Sequence, residues 1–185
     1  MTTKIKERKL LYLVRTKKDK QAFGSLYDLY VEKIYRFVYF KINNKEESED
    51  ITSEVFLKTW NYLMENTEKE LTSFSGLIYR VARNIIIDHY RKRAKMQEVT
   101  LDEGVEIERV SDMSSHQTVE DKYDMERLMI LVKKLKQDYQ EVLILKHVEE
   151  LSTAEIAEIV GKSSVSVRVT LHRAMNKLKE LSDQQ

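Results

Sequence analysis

A chain of 185 residues with no proline and only four glycines has few ways to break a helix. Proline removes a backbone donor, and glycine supplies the left-handed conformations that tight turns need. Nothing in the sequence alternates apolar and polar residues between hairpin-type turns, as a strand ladder requires. The expectation is an all-α protein. A charged content of 34% suits helices with broad solvated faces, and a hydrophobic content of 42% is enough for packed cores. The length allows one ordinary domain or two small ones.

Several function classes drop out early. Without cysteine there are no disulfides and no thiolate metal sites. The apolar run "KLLYLV" is too short for a secretion signal, and no later run approaches a membrane span, so the expectation is a cytoplasmic protein with no membrane insertion. His89, His116, His147 and His172 are scattered, with no HxxxH pair, and no glycine-rich phosphate loop exists. His89 lies beside an apolar face and reads as a packed side chain. Glu149 and Glu150 are adjacent and point apart on a helix. The chain reads as no enzyme, with no metal and no cofactor.

A net charge of +1 conceals segregation. Residues 1–20 carry eight Lys or Arg against two acids, and 79–95 carry six against one. Between 98 and 124 the sign reverses, with nine acids against Arg109 and Lys122. Patches of one sign decide what a surface attracts.

Helical spacing divides the chain. A basic N-terminal helix occupies 1–21. From Ala22 to about Ile42, Phe23, Leu26, Tyr30, Ile34, Phe37 and Val38 recur on one side, until "NNKEES" interrupts. A second periodic run, from about Glu46 to Leu63, carries Ile51, Val55, Phe56, Leu57 and Trp60. The polar connector "MENTEKELTSFS" follows, and a third run spans about Gly76 to Ala94. Residues 22–95 would form one helical bundle. Residues 96–118 lose periodicity and read as a flexible acidic linker. Pattern resumes near Val119, and 119–185 form a second helical unit.

Within "YRVARNIIIDHYRKRAK", Val81, Ala82, Ile85, Ile86 and Tyr90 fall on a core-facing side. Arg80, Asn84, Arg91 and Lys95 share a narrow band opposite, with only Asp88 at its edge. A solvated face usually interleaves both signs, and this one does not.

The stretch "LSTAEIAEIVGKSSVSVRVTLHRAMNKLKE" is more specific. Ser152 with Glu155 forms a capping box, Gly161 suits a left-handed helix end, and Ser163 or Ser164 can cap the next helix. Two short helices around a glycine turn, at about 152–176, make a helix-turn-helix. On its second helix Val167, Leu171, Ala174 and Leu178 form the packing stripe. Val165, Val169, His172, Arg173 and Asn176 face away, flanked by Ser166 and Arg168. Exposed valines suit thymine methyls, and arginines suit guanine edges or phosphates.

Taken together, "AFGSLYDLYVEKIYRF", "EDITSEVFLKTW", "FSGLIYRVARNIIIDHYRKR" and "DYQEVLILKHVEELSTAEIAEIVGKSSVSVRVTLHRAMNKLKE" resemble, in order, region two and region four of RNA polymerase sigma factors. Neither an acidic inhibitory region before Ala22 nor a full third region fits, which points to the extracytoplasmic-function (ECF) group. The resemblance implies that Asp50, Ser53, Glu54, Phe56, Leu57 and Trp60 meet the clamp coiled coil of the largest subunit of core RNA polymerase. Periodicity alone would bury Phe56 and Trp60. It further implies that Arg80 and Asn84 meet bases or sugars of the melted minus-ten element, and Arg83, Arg91, Arg93 and Lys95 its phosphates. The connector at about 66–75 would edge the pocket for a flipped base. Ser163, Ser164, Val165, Ser166, Arg168, Val169, His172 and Arg173 would read the minus-thirty-five element as duplex promoter DNA. The flap of the second-largest subunit and an anti-sigma factor are further implied partners, and the acidic linker would thread near the RNA path.

Three positions depart from the family pattern: Ser53 stands where glutamine is usual, Thr170 where arginine is frequent, and no proline precedes region four near Lys136. The competing reading is a conventional helix-turn-helix regulator that binds duplex DNA without polymerase. Such a regulator would carry a ligand-sensing or phosphoacceptor domain at 22–95 in place of a basic helix behind an aromatic bundle.

Overall fold

A computed structural model describes residues 3–68, 71, 73–97 and 127–183, and every regular element among them is helical. The chain divides into two compact units, Met1–Glu108 and Arg109–Gln185. The expected acidic linker lies outside the described residues from 98 onward, as does the expected restart of helix near Val119.

Among the described residues, four helices build the first unit: α1 (Thr3–Lys17), α2 (Lys20–Ile42), α3 (Lys45–Glu65) and α4 (Phe74–Gln97). Their ends show how a chain without proline turns. Asp19 caps α2, its side chain accepting from the amides of Gln21 and Ala22 at 2.9 and 3.0 Å. Asn43 ends α2 at φ 57°, and the Asn44 side chain starts α3 by accepting from the Glu47 amide at 3.0 Å. Asparagine does both jobs because its short amide tolerates the left-handed region and mimics a backbone acceptor. Lys18 and Glu150 also take positive φ, at 51° and 55°. Turns that glycine would make without strain therefore cost about 1 kcal/mol or more here.

Leu26, Ile34, Phe37 and Val38 of α2 meet Ile51, Val55 and Phe56 of α3 and Leu77, Ile78 and Ala82 of α4 in the buried interior. Aromatic edges organise its centre. Phe74 is edge-on to Tyr30 and Phe23, with centroids 5.2 and 6.4 Å apart, and Phe37 is edge-on to Tyr79 at 5.4 Å. Helix α1 closes the unit with Leu11 and Val14, packing against α2, α3 and α4. Four of the expected core positions lie elsewhere. Phe23, Trp60 and Val81 are half-buried, while Tyr90 is exposed. A helix in a four-helix unit buries a narrower stripe than its run of apolar residues, so the flanks of the stripe reach the rim.

The second unit contains helical residues 127–133, α5 (Gln137–Leu143), a π-helical turn (Ile144–Val148), α6 (Thr153–Val160) and α7 (Ser164–Asp183). Helix α7 packs against α5 and α6. Four successive apolar residues, Val142 to Leu145, are buried at the entrance to the wider turn. Lys136 begins α5 at φ −61°, the angle a proline ring would impose, so the helix starts correctly without that residue.

The two described glycines that stand at exposed positions differ in backbone angle, which gives a test. Gly24 sits in α2 with nothing within 4 Å of an added Cβ, whereas Gly161 has φ +67°. Gly24→Ala is expected to stabilise the first unit by about 0.5–1 kcal/mol, and Gly161→Ala to destabilise the second by about 1 kcal/mol. Urea unfolding followed by the fluorescence of the single tryptophan, Trp60, and by circular dichroism separates the two effects.

Candidate functional site

Three helical faces gather the residues singled out in the sequence. On α3, Asp50, Ser53, Glu54 and Leu57 are all exposed, Leu57 to 61%. Glu54 pairs with Lys58 at 2.7 Å on the same helix. Ser53 turns its hydroxyl back to the Glu49 carbonyl at 3.0 Å, so at rest it spends its donor locally. Phe56 is 4% exposed, its ring 4.5 Å from that of Tyr27. Trp60 is half-buried and edge-on to Phe23 at 5.0 Å. These aromatics nevertheless belong to the surface. Phe56, Trp60 and Phe23 line an open groove of about 420 Å³, with Leu57 and Lys20 as its other members. An apolar groove beside exposed acids is the shape that accepts a helix carrying apolar and basic side chains.

On α4 the two flanks are unlike. Phe74 to Tyr79 are all buried, and Tyr90 to Lys95 are all exposed. Asn84, Arg91, Arg93 and Lys95 lie in solvent, while Arg80 and Arg83 are half-buried and engaged within the protein. Asp88 lies 3.5 Å from Arg91, a loose pair between exposed groups. Tyr90 leaves the core to donate its hydroxyl to the Lys41 carbonyl at the end of α2. Burial raises the pKa of that hydroxyl, with Arg93 lowering it and Glu47 raising it, so it remains a neutral donor at physiological pH. His89 does pack, but against a charge: its Nε2 lies 3.3 Å from Glu47 Oε2, which also faces Arg93 at 3.9 Å. Periodicity could not pair His89 with Glu47, because the partners lie on different helices.

The α6–α7 motif folds as its sequence implies. The Ser152 hydroxyl and amide both donate to Glu155 Oε2, at 2.6 and 2.9 Å, and the Glu155 amide returns a bond to Ser152 Oγ at 3.3 Å. Gly161 ends α6 in the left-handed region, and Ser163 Oγ caps α7 by accepting from the Ser166 amide at 3.2 Å. Val167 and Ala174 are buried, while Arg168, His172, Arg173 and Asn176 are exposed. Val165 and Val169 are 60% and 44% exposed. Ser164 and Ser166 are half-buried and Ser163 is exposed. Thr170 bonds back to the Ser166 carbonyl at 2.8 Å and offers no charge to a phosphate.

One contributor was missed in the sequence. Glu7 of α1 is buried at 7% exposure and accepts from the Tyr30 hydroxyl and from the Phe74 amide, the latter at 3.0 Å. Its cue was present but weak: Glu7, Leu11 and Val14 share one face of a helix otherwise dominated by cations. Among the described residues, no helix is long and apolar enough to cross a membrane, and no group of three or more His, Asp or Glu is placed to hold a metal ion.

The family model "Sigma-70 region 2" matches residues 26–96, and "Sigma-70, region 4" matches 125–178. The chain is 30% identical over 163 residues to the ECF RNA polymerase sigma factor BldN of Streptomyces coelicolor, covering 88% of this chain and 61% of that protein's length. It is 28% identical over 184 residues to the ECF RNA polymerase sigma factor SigW of Bacillus subtilis, covering 90% and 92%. Its fold is similar to the sigma factor RpoE in a co-crystal structure with the anti-sigma factor NepR from Bartonella quintana. The TM-score is 0.67 at 20% identity, covering 87% of this chain and 96% of that one.

The contrast between Phe56 and Leu57 separates packing from surface chemistry. Phe56→Ala should cost about 3–5 kcal/mol of first-unit stability, and Leu57→Ala under about 0.5 kcal/mol. Chemical denaturation of the two variants measures both.

Proposed function

The chain belongs to the sigma-70 family of RNA polymerase sigma factors, within its extracytoplasmic-function group, and we propose that it binds core polymerase and directs it to promoters. The observation that carries this reading is α4, a helix rooted in an aromatic core whose outer half presents cations and an amide to solvent. A duplex-binding regulator has no use for that face, whereas a strand separated from its partner needs both neutralised phosphates and groups that meet unpaired bases.

In this reading the α3 groove, with Asp50, Glu54, Leu57 and Trp60 around it, receives the clamp coiled coil. Phe56 acts from below as part of the groove floor. Asn84 and Arg80 meet minus-ten bases or sugars, and Arg83, Arg91, Arg93 and Lys95 meet phosphates. Helix α7 reads the minus-thirty-five duplex, its Val165 and Val169 against thymine methyls and Arg168, His172 and Arg173 against base edges and phosphates. The hydroxyls of Ser163, Ser164 and Ser166 sit where a helix N-terminus favours a phosphate. Binding to the polymerase flap, restraint by an anti-sigma factor and a cytoplasmic location complete the proposal.

Two experiments test it. Leu57→Ala combined with Glu54→Ala is expected to weaken core binding by about tenfold, the loss of one or two well-packed contacts, without unfolding the chain. Normal core affinity in the folded double variant would remove the clamp assignment. For the DNA faces, open-complex formation is measured against salt on a matched set of promoters. Arg91→Ala and Lys95→Ala should weaken all promoters and flatten the salt slope by roughly 0.7 per phosphate contact. Asn84→Ala should alter minus-ten base preference and leave the slope nearly unchanged. Arg168→Ala or Arg173→Ala should cost about 1–3 kcal/mol of discrimination where a bidentate guanine contact is lost. Unchanged preference and slope in all of these would leave α4 and α7 as solvated helices.

A further inference from the structure

Helix α1 holds both ends of the segment between α3 and α4. At the near end, Arg15 Nη2 donates to the Asn66 carbonyl at 3.4 Å and to the Thr67 carbonyl at 2.6 Å. At the far end, Glu7 Oε1 accepts from the Phe74 amide at 3.0 Å, and the other carboxylate oxygen takes the Tyr30 hydroxyl. Both contacts span more than fifty positions of sequence, so neither is a by-product of local turn geometry.

The chemistry of each contact is specific. The first amides of a helix have no partner within it, and the helix dipole makes that end positive. A buried carboxylate there satisfies an orphan donor and is itself stabilised. Ser73 completes the cap by accepting from the Gly76 amide at 3.0 Å. Burying Glu7 would otherwise be unfavourable, since a carboxylate is strongly disfavoured away from water unless it is hydrogen-bonded. At the other end, the carbonyls of Asn66 and Thr67 lie just past the end of α3, where backbone acceptors lack helical partners. A guanidinium can serve two such carbonyls from one planar fork.

We propose that Glu7 and Arg15 are positioning residues for minus-ten recognition, fixing where the segment after α3 leaves and where α4 begins. The proposal rests on the reading of α4 as the minus-ten helix. On that reading the α3–α4 connector edges the pocket for an extruded base, and a pocket edge selects among bases only if its ends are held. Helix α1, although basic, then contributes to base selection without touching DNA.

The test uses the full chain assembled with core polymerase. Fork-junction DNA carries each base in turn along the unpaired minus-ten strand, and affinities give a discrimination ratio at each position. Glu7→Ala and Arg15→Ala are expected to lower discrimination at one or two positions by roughly fivefold, the factor matching a lost cap, while affinity for core polymerase stays unchanged. Glu7→Gln retains an acceptor for the Phe74 amide and should keep most of the discrimination. Leu11→Ala, on the same helix, removes apolar packing and leaves both hydrogen-bonded anchors, so it should lower thermal stability and not discrimination. Should Glu7→Ala fail to fold, Arg15→Ala decides, because its contact to Thr67 lies at the surface. The proposal is overturned if the folded α1 variants discriminate as the parent does, or if Leu11→Ala loses discrimination equally. Asn84→Ala tells the two failures apart. If it shifts base preference while the α1 variants do not, only the positioning role falls; if it also shifts nothing, the reading of α4 falls and the positioning role with it.

Discussion

Helix α4 is buried on every side from Phe74 to Tyr79 and exposed from Tyr90 to Lys95. Phe74, Leu77, Ile78 and Tyr79 are almost wholly inaccessible, wedged against Tyr30 and Phe37. Each such side chain contributes about 1.5–3 kcal/mol by leaving water, so the first two turns are held firmly. A rigid helix then carries that order outward at about 1.5 Å per residue. The cations beyond Tyr90 gain a defined direction without needing contacts of their own. This arrangement resolves a conflict in the chain. A surface proposed to meet a polyanion must keep its charges available in solvent, yet exposed charges contribute little to folding. Anchoring one half of the helix lets the other half carry its cations with Asp88 as the single carboxylate among them.

The same division recurs on a smaller scale in α7. Val167 and Ala174 root the helix, while Val165 and Val169 stand in solvent where they add nothing to the core. Two nucleic-acid faces of modest individual strength on one chain bind more tightly together than either does alone, provided both can engage at once. The proposed function fits that physics: the polymerase would align two weak readers, and neither unit would have to hold a promoter unaided.

Much of this was legible in the sequence, and the reasons are local ones. Ser152, Glu155, Gly161 and Ser163 announce their roles because a cap is set by residues within three or four positions of one another. The absence of proline marked the fold as helical, and helix limits fell within a few residues of those expected. The faces of helices were harder. Trp60 and Tyr90 were placed toward the core because periodicity reports apolar spacing and not the angular width a neighbour covers. Phe56 illustrates a finer failure, since a residue can be buried by its own unit and still form the floor of a groove. Glu7 left only a weak cue, and Arg15 and the His89–Glu47 pair left none, for a different reason. Their partners lie tens of residues away, and no local pattern encodes a contact that only the tertiary fold creates.

The central claim, that this chain gives a polymerase its promoter preference, is tested most directly by run-off transcription from a genomic promoter library. Core polymerase is supplied with and without the chain, and the chain's own duplex binding is measured alongside. Transcripts from a defined set of start sites that share spaced minus-thirty-five and minus-ten elements, arising only when both components are present, are the predicted result. Sequence-specific duplex binding by the chain alone, with no new start sites when it is added to core polymerase, would contradict the account.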